Sequence, residues 1–192
     1  MSRDAELASV LDSVAGALRG ADVPWFVTGS LASSVHGEFR ATNDVDIVAA
    51  LDARTLRKLL DPLAGEFVCD FDEAALAIGE GRSFNLIHRE TLFKVDVFPV
   101  ASAFDREGAQ RAELLQFPGA REVLRVATRE DILLAKLRWF RLGGESSSTQ
   151  RRDIERLVVL NQGDFDVPYL LRWAAALEVE DLLRRFYPQV DG

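Results

Sequence analysis

Residues 28–47, TGSLASSVHGEFRATNDVDI, decide the fold prediction. The apolar run that leads into this stretch is typical of a buried strand, and residues 30–36 suit a short helix directly after it. Residues 44–50, DVDIVAA, predict a second buried strand. Because side chains alternate along a strand, Asp44 and Asp46 share one of its faces. Two carboxylates inside an otherwise apolar strand need a chemical explanation.

A third acidic residue lies in a strand further along the chain. Residues 82–88 and 92–98 predict the two strands of a hairpin, and Asp96 lies in the second of them between Val95 and Val97. Neighbouring carboxylates in an apolar setting repel each other and resist desolvation. A divalent cation would relieve both effects, and Mg²⁺ binds one or two carboxylates together with phosphate oxygens. The three acids therefore predict a cradle for a metal-bound nucleoside triphosphate.

The junction between the first strand and the short helix adds a candidate anion site. Gly29 lets the backbone approach a phosphate closely. The beginning of a helix offers free N–H groups and the positive end of the helix dipole, and the Ser30 hydroxyl adds a donor. An anion site thirteen residues before two of the acids is the combination that nucleotide handling requires.

The rest of the chain mixes strands with helices up to about residue 127 and is helical after it. The further predicted elements are a strand over 121–127 and helices over 4–19, 53–64, from Thr128 to about 142, 150–161, 167–177 and 179–187. This order predicts an α+β fold, a mixed sheet flanked by helices, with a first domain over 1–127 and a C-terminal helical subdomain over 128–192.

The glycine–serine pair and the three acids resemble a known signature. Thr28-Gly29-Ser30, followed after thirteen residues by Asp44-Val45-Asp46-Ile47, is similar to the signature of the DNA polymerase β-type nucleotidyltransferase superfamily. Asp96, within Lys94-Val95-Asp96-Val97-Phe98, resembles the third carboxylate of that superfamily. Residues 29–48 resemble its small bacterial branch, which includes antibiotic, minimal and abortive-infection toxin nucleotidyltransferases.

The toxin group supplies further candidate residues. In that group a basic residue and a small hydroxyl residue precede the acids, as Arg40 and Thr42 do here. A later helix carries a lysine and then an arginine–aspartate pair, which Lys136 and Arg152-Asp153 resemble. The resemblance covers roughly residues 24–160. It implies that the nucleotide-binding residues are Gly29, Ser30, Arg40, Thr42, Lys136 and Arg152.

The resemblance implies a nucleotidyltransferase fold and a Mg²⁺-dependent transfer of a nucleoside monophosphate from ATP or another triphosphate to an acceptor hydroxyl. Asp44 and Asp46 would hold two Mg²⁺ ions, and Asp96 would hold one of them and orient or deprotonate the hydroxyl. The acceptor classes are a tRNA end, a protein and a small molecule. The branch also implies a bacterial toxin–antitoxin or phage-defence component, with an antitoxin as partner. The alternative is a catalytically silent domain that binds a nucleotide or a toxin–antitoxin partner.

Plainer interpretations compete with these roles. Asp96 could be the ion-pair partner of Lys94, because both side chains point to one side of their strand. Asp44 could cap a helix or turn. Lys136 could be a surface lysine whose stem covers apolar area, and Arg152 could pair with its neighbour on a helix surface. The tryptophans are interpreted as core residues: Trp25, Trp139 and Trp173.

Composition restricts the class of protein. The chain has 23 Lys and Arg against 31 Asp and Glu, a net charge of −8, which disfavours general binding of nucleic acid or anionic membranes. Residues 121–152 alone are basic, with 8 cationic and 4 anionic side chains. A single cysteine excludes an internal disulfide and a cysteine-cluster zinc site. Acids interrupt the N-terminal segment, and no run of about 18 apolar residues occurs, so we expect a cytoplasmic protein without a signal peptide or membrane span.

Overall fold

The computed structural model describes residues 2–36 and 44–191. In chain order its elements are α1 (Arg3–Ala21), β1 (Trp25–Thr28), α2 (Gly29–Val35), β2 (Asp44–Ala49), α3 (Ala53–Leu63), β3 (Phe67–Val68), α4 (Phe71–Gly79), β4 (Phe84–His88), β5 (Lys94–Pro99), α5 (Ala103–Arg111), β6 (Glu113–Gln116), β7 (Val123–Val126), α6 (Arg129–Leu142), α7 (Ser148–Leu160), α8 (Val167–Ala176) and α9 (Glu180–Phe186). A 3₁₀ turn, Pro188–Asp191, follows α9.

The strands form one mixed sheet in the order β3-β4-β5-β2-β1-β7-β6. At its centre β2 runs parallel to β5 and antiparallel to β1. β7 is parallel to β1, and the outer pairs, β3–β4, β4–β5 and β6–β7, are antiparallel. The predicted α+β fold with a mixed sheet and a helical C-terminal part is therefore confirmed.

One face of the central strands belongs to the hydrophobic core. Val45 and Ile47 of β2 and Val95 and Val97 of β5 are at most 2% exposed. Leu86 of β4 lies in register with Val95 and is equally buried. Because alternate residues project from opposite faces, the polar residues between these apolar ones are directed to the other face of the sheet.

Capping side chains define where several helices begin. The Asp52 carboxylate accepts the backbone N–H groups of Arg54 and Thr55 at the start of α3, and the Thr55 hydroxyl accepts the backbone N–H of Asp52. Ser102 and Asp105 form the equivalent reciprocal pair at the start of α5. Such pairs satisfy backbone donors that the first turn of a helix leaves without a partner.

The chain divides into two compact units. The first contains the described parts of residues 1–31 and 41–127, which include the whole sheet. The second contains the described parts of residues 32–40 and 128–192, which include α6 to α9. The division passes through α2, so that its first three residues belong to the first unit and its last four to the second.

Buried carboxylates organise the second unit. Asp131, 3% exposed, accepts the Tyr169 hydroxyl at Oδ1 (2.5 Å) and the Thr128 hydroxyl at Oδ2 (3.0 Å). Glu130, 5% exposed, accepts the backbone N–H of Asp166 at 3.0 Å. These bonds connect the start of α6 with the start of α8. Each buried carboxylate thus has hydrogen-bond donors, which is the condition for keeping a charged group inside a protein.

The sequence prediction omitted four elements and misplaced one aromatic residue. β3, α4, α5 and β6 were not predicted, and each is short. Trp139 on α6 is 57% exposed, so its interpretation as a core residue is wrong, whereas Trp25 is buried. The described part of the chain has no helix that is both long enough and apolar enough to cross a membrane.

The hydrogen bond between Tyr169 and Asp131 makes a testable contribution to stability. We expect Tyr169→Phe to lower the free energy of unfolding by about 1–3 kcal/mol, because it removes a donor from a buried carboxylate. Urea denaturation at neutral pH measures the change. Tyr187→Phe is the matched control, since Tyr187 is equally buried and its hydroxyl makes no hydrogen bond with the described residues. Equal losses in the two variants would contradict the assignment.

Candidate active site

Three carboxylates lie on the face of the two central strands opposite the one that carries Val45, Ile47, Val95 and Val97. Parallel pairing of β2 with β5 places Asp44 opposite Lys94 and Asp46 opposite Asp96. Residues in register on neighbouring strands project from the same face, so these four side chains form a two-by-two block. We call this block the acid face: Asp44, Asp46, Lys94 and Asp96.

The sheet register adds neighbours that extend the acid face in both directions. Thr28, the last residue of β1, lies opposite Asp46, and Asn85 of β4 lies opposite Asp96. Asn85 is exposed and lies on the same face of the sheet as Asp96. Sequence analysis missed Asn85, although the predicted hairpin contained the signal. The face on which Asn85 lies depends on the hairpin register, because a shift of one residue moves a side chain to the opposite face of the sheet. The predicted hairpin alone therefore did not place Asn85 beside Asp96.

The acid face is restricted to one end of the sheet. One step further along the same face the residues in register are apolar: Phe26 of β1, Val48 of β2 and Phe98 of β5. Phe26 is 5% exposed and Val48 is 9% exposed. The polar site therefore lies where β2 and β5 begin and where β1 ends, directly before α2.

Gly29 allows the start of α2 to approach Asp46. It has a φ of +65°, and a Cβ atom added to it would lie 1.9 Å from Asp46 Oδ2 and 2.7 Å from Asp46 Cγ. No other residue type fits that space without moving the carboxylate. The backbone N–H of Ser30 donates to the Asp46 carboxylate. The glycine–serine pair and the second acid are therefore in direct contact, as parts of one site.

Asp46 is the electrostatically strained member of the acid face. Burial, together with the charges of Asp96 and Asp44, raises the pKa of its carboxyl to about 6. The Lys94 ammonium and the Ser30 N–H act in the opposite direction. Near neutral pH the folded protein therefore holds an ionised carboxylate at a position that disfavours the negative charge.

Lys94 is the counter-charge within the acid face. Its Nζ lies 2.8 Å from Asp96 Oδ2, and the two side chains are 41% and 14% exposed. The hydrogen bond to Asp96 raises the pKa of Lys94, as do the charges of Asp96, Asp44 and Asp46, while burial lowers it. The ion pair that the sequence left open is thus present, and it includes one of the three candidate metal ligands.

The donor set fits a divalent cation in its chemistry. Asp44, Asp46 and Asp96 supply carboxylate oxygens, the ligands that Mg²⁺ prefers, and the unfavourable charge of Asp46 is what a cation would relieve. In the arrangement shown, however, no group of three or more His, Cys, Asp or Glu among residues 2–36 and 44–191 is placed to hold a metal ion. Binding through all three acids therefore requires their carboxylates to rearrange, and Asp96 already bonds Lys94 through one of its oxygens.

The other predicted nucleotide-binding residues lie elsewhere in the chain. In the second unit, Lys136 Nζ on α6 lies 3.1 Å from Asp153 Oδ2 on α7, and the lysine side chain is only 15% exposed. Arg152 is exposed, and its Nε approaches the Ser148 carbonyl at 3.4 Å. The structure thus pairs Lys136 with Asp153. Arg40 and Thr42 lie outside the described residues.

Replacing Gly29 tests the close approach of α2 to Asp46. Gly29→Ala forces a left-handed conformation on alanine, at about 1–2 kcal/mol, and places its Cβ against the carboxylate, at about 1–3 kcal/mol more. Gly81→Ala is the control, because Gly81 has a φ of +71° and open space around its Cβ. Urea denaturation should show a clearly larger loss for Gly29→Ala. Equal losses would mean that Asp46 does not press against the start of α2.

The strained carboxylate predicts a pH dependence of stability. A folded pKa of about 6 against an ordinary 3.8 means that the folded protein binds the proton more tightly, so stability falls as pH rises from about 4 to 6. Asp46→Asn removes this contribution. Its stability relative to the unaltered protein should therefore increase by about 2 kcal/mol between pH 4 and pH 7. Urea titrations across this range measure the difference, and a constant difference would contradict the assignment.

Comparison with known proteins supports the fold. No protein-family model and no curated protein matches the sequence. Among solved structures, the chain is similar to an antigenic nucleotidyltransferase-like protein from Paracoccidioides brasiliensis, with 22% identity and a TM-score of 0.57 over 100% of this chain and 92% of that one. It also aligns with the antibiotic-resistance factor ANT(2'')-Ia (13% identity, TM-score 0.47, 98% and 96% covered). A further alignment, with JHP933 from Helicobacter pylori, has 14% identity and a TM-score of 0.47, and it covers 100% of this chain and 95% of that one.

At these sequence identities the similarity shows the fold alone. It rests on the protein from Paracoccidioides brasiliensis, for which the TM-score is 0.57. That structure aligns along the whole of this chain, through the sheet that bears the acid face and through the C-terminal helices. The nucleotidyltransferase fold predicted from the glycine–serine pair and the three acids is confirmed. The chain therefore has the fold of the nucleotidyltransferase-like proteins.

Proposed function

We propose that this protein is a Mg²⁺-dependent nucleotidyltransferase that transfers a nucleoside monophosphate from a nucleoside triphosphate to an acceptor hydroxyl. One observation carries the proposal. The strand register places Asp46 beside Asp96, with Asp44 next to them, and Asp46 touches the glycine–serine turn. Two acids of β2 and one of β5 thus share one end of a sheet face, and Asp46 among them lies against the start of α2.

Asp44, Asp46 and Asp96 are the residues that would hold Mg²⁺. When bound, the metal would polarise the reacting phosphate and offset the negative charge of the acids and the triphosphate. The half-buried position of Asp46 supports this role, since removal from water strengthens the attraction of a carboxylate for a cation. The exposure of Asp44 leaves one side of the site open to substrate.

The transfer itself requires a base and an anion-binding region. In the proposed reaction the acceptor oxygen bonds to the α-phosphorus, the bond from that phosphorus to the bridging oxygen breaks, and pyrophosphate leaves. Asp96 orients the hydroxyl and accepts its proton. The Gly29-Ser30 backbone and the Ser30 hydroxyl hold the β- and γ-phosphates. The cationic side chains proposed to neutralise the triphosphate or the acceptor are Arg40, Lys136 and Arg152.

A protein that binds a nucleotide without turnover is the second candidate function. The ion pair between Lys94 and Asp96 favours it, because it satisfies the third acid without a metal. The two candidates differ in a measurable way. Calorimetry with Mg²⁺ and each of the four triphosphates should show binding in both cases, whereas release of pyrophosphate occurs only with transfer.

Label transfer tests the proposed activity. Incubation with α-labelled nucleoside triphosphates, Mg²⁺ and separate pools of cellular RNA, protein and small molecules should label one pool. Asp46→Asn should reduce that labelling by a factor of about 100 or more, because a metal-binding charge is lost while the shape is kept. Asp22→Asn is the control, since Asp22 ends α1 in a left-handed conformation that asparagine also adopts.

The outcomes of this experiment discriminate between the candidates. Transfer that persists at the same rate in Asp46→Asn would overturn the role given to the acid face. Nucleotide binding without labelling of any pool would favour the silent candidate. The labelled pool identifies the acceptor class: an RNA end, a protein side chain or a small molecule.

A further inference from the structure

Lys94 occupies a position that no metal-site requirement explains. It lies opposite Asp44 in the strand register, on the same face as all three acids, and its Nζ is 2.8 Å from Asp96 Oδ2. A lysine directed away from the acids would have left Asp96 available. The strand instead places a cation two residues before the third acid, where the alternation of β5 forces both side chains to one face.

The charges of the acid face are only partly balanced by this lysine. Three carboxylates and one ammonium leave a net negative charge, and Asp46 still has a raised pKa. Lys94 therefore does not complete the neutralisation of the site. It does, however, bond one oxygen of Asp96, and repulsion between two cations a few ångströms apart disfavours a divalent ion on the same carboxylate.

We propose that Lys94 is the built-in competitor of the divalent cation for Asp96. In the free protein its ammonium holds the third acid and moderates the repulsion among the carboxylates. Metal binding through Asp96 is then opposed by the ammonium, and the oxygens of an incoming triphosphate are the anions that can draw it away. Lys94 thereby makes metal binding weak in the free protein and favourable together with substrate. This inference rests on the metal site of the proposed function.

Direct metal titration tests the proposal without any assay of activity. Mn²⁺ alone is titrated into the full chain, and free Mn²⁺ is measured by electron paramagnetic resonance. Lys94→Met should bind Mn²⁺ more tightly by about tenfold, because a unit positive charge a few ångströms from the ion is removed. Lys94→Arg keeps the charge and should retain the affinity of the unaltered protein. Lys58→Met, on the exposed surface of α3, is the control for loss of a distant lysine.

A second substitution shows whether the effect passes through Asp96. In the Asp96→Asn background, Lys94→Met should change Mn²⁺ affinity far less than in the unaltered background, because the competition concerns that carboxylate. Thermal unfolding gives an independent measurement. Without metal, Lys94→Met should have a lower melting temperature than the unaltered protein. Added Mg²⁺ should raise the melting temperature of Lys94→Met by more than it raises that of the unaltered protein.

Each result of the titration decides the matter. Unchanged or weaker Mn²⁺ binding by Lys94→Met would overturn the proposal, as would no binding by either protein. Failure of the proposed function would appear differently, as tighter metal binding by Lys94→Met with no label transferred to any pool. Label transfer by the unaltered protein together with equal Mn²⁺ affinities would leave the function intact and reject the role of Lys94.

Discussion

Parallel pairing of β2 with β5 brings two carboxylates, Asp46 and Asp96, into the same register position on the same face of the sheet. Like charges so placed repel, and the half-buried position of Asp46 adds the cost of removing its charge from water. The protein tolerates this arrangement through two local contacts, the Ser30 N–H on Asp46 and the Lys94 ammonium on Asp96. The architecture of the first unit can be understood as the support for this unfavourable pair.

That support comes from the opposite face of the same strands. Val45, Ile47, Val95 and Val97 are almost completely buried, so the strands are fixed by their apolar residues while the acids project from the other side. A slip of one residue between β2 and β5 would place carboxylates in the core. The hydrophobic pattern therefore sets the register, and the register sets the distance between the acids.

The second unit treats its buried carboxylates differently. Asp131 and Glu130 have neutral donors, the Tyr169 and Thr128 hydroxyls and the Asp166 backbone N–H, and they connect helices. The acids on the sheet instead lie beside one another, with one backbone N–H on Asp46 and one ammonium on Asp96. Buried carboxylates that accept hydrogen bonds from hydroxyl and backbone donors are structural in character, whereas carboxylates placed against each other are the arrangement that a cation stabilises. The contrast within one chain strengthens the assignment of the acid face as the functional site.

Local sequence by itself determined the type and place of most elements and the identity of the acids. Helical spacing and the alternation within β5 are local properties, and they predicted these elements within a few residues. Only the tertiary structure decided that Gly29 touches Asp46, that Asn85 stands beside Asp96, that Lys136 pairs with Asp153 and that Trp139 is exposed. These contacts depend on strand register and helix packing, which join residues far apart in the chain. Short elements such as β3 and β6 also escaped prediction, because their stability comes from pairing with a neighbouring strand and not from their own residues.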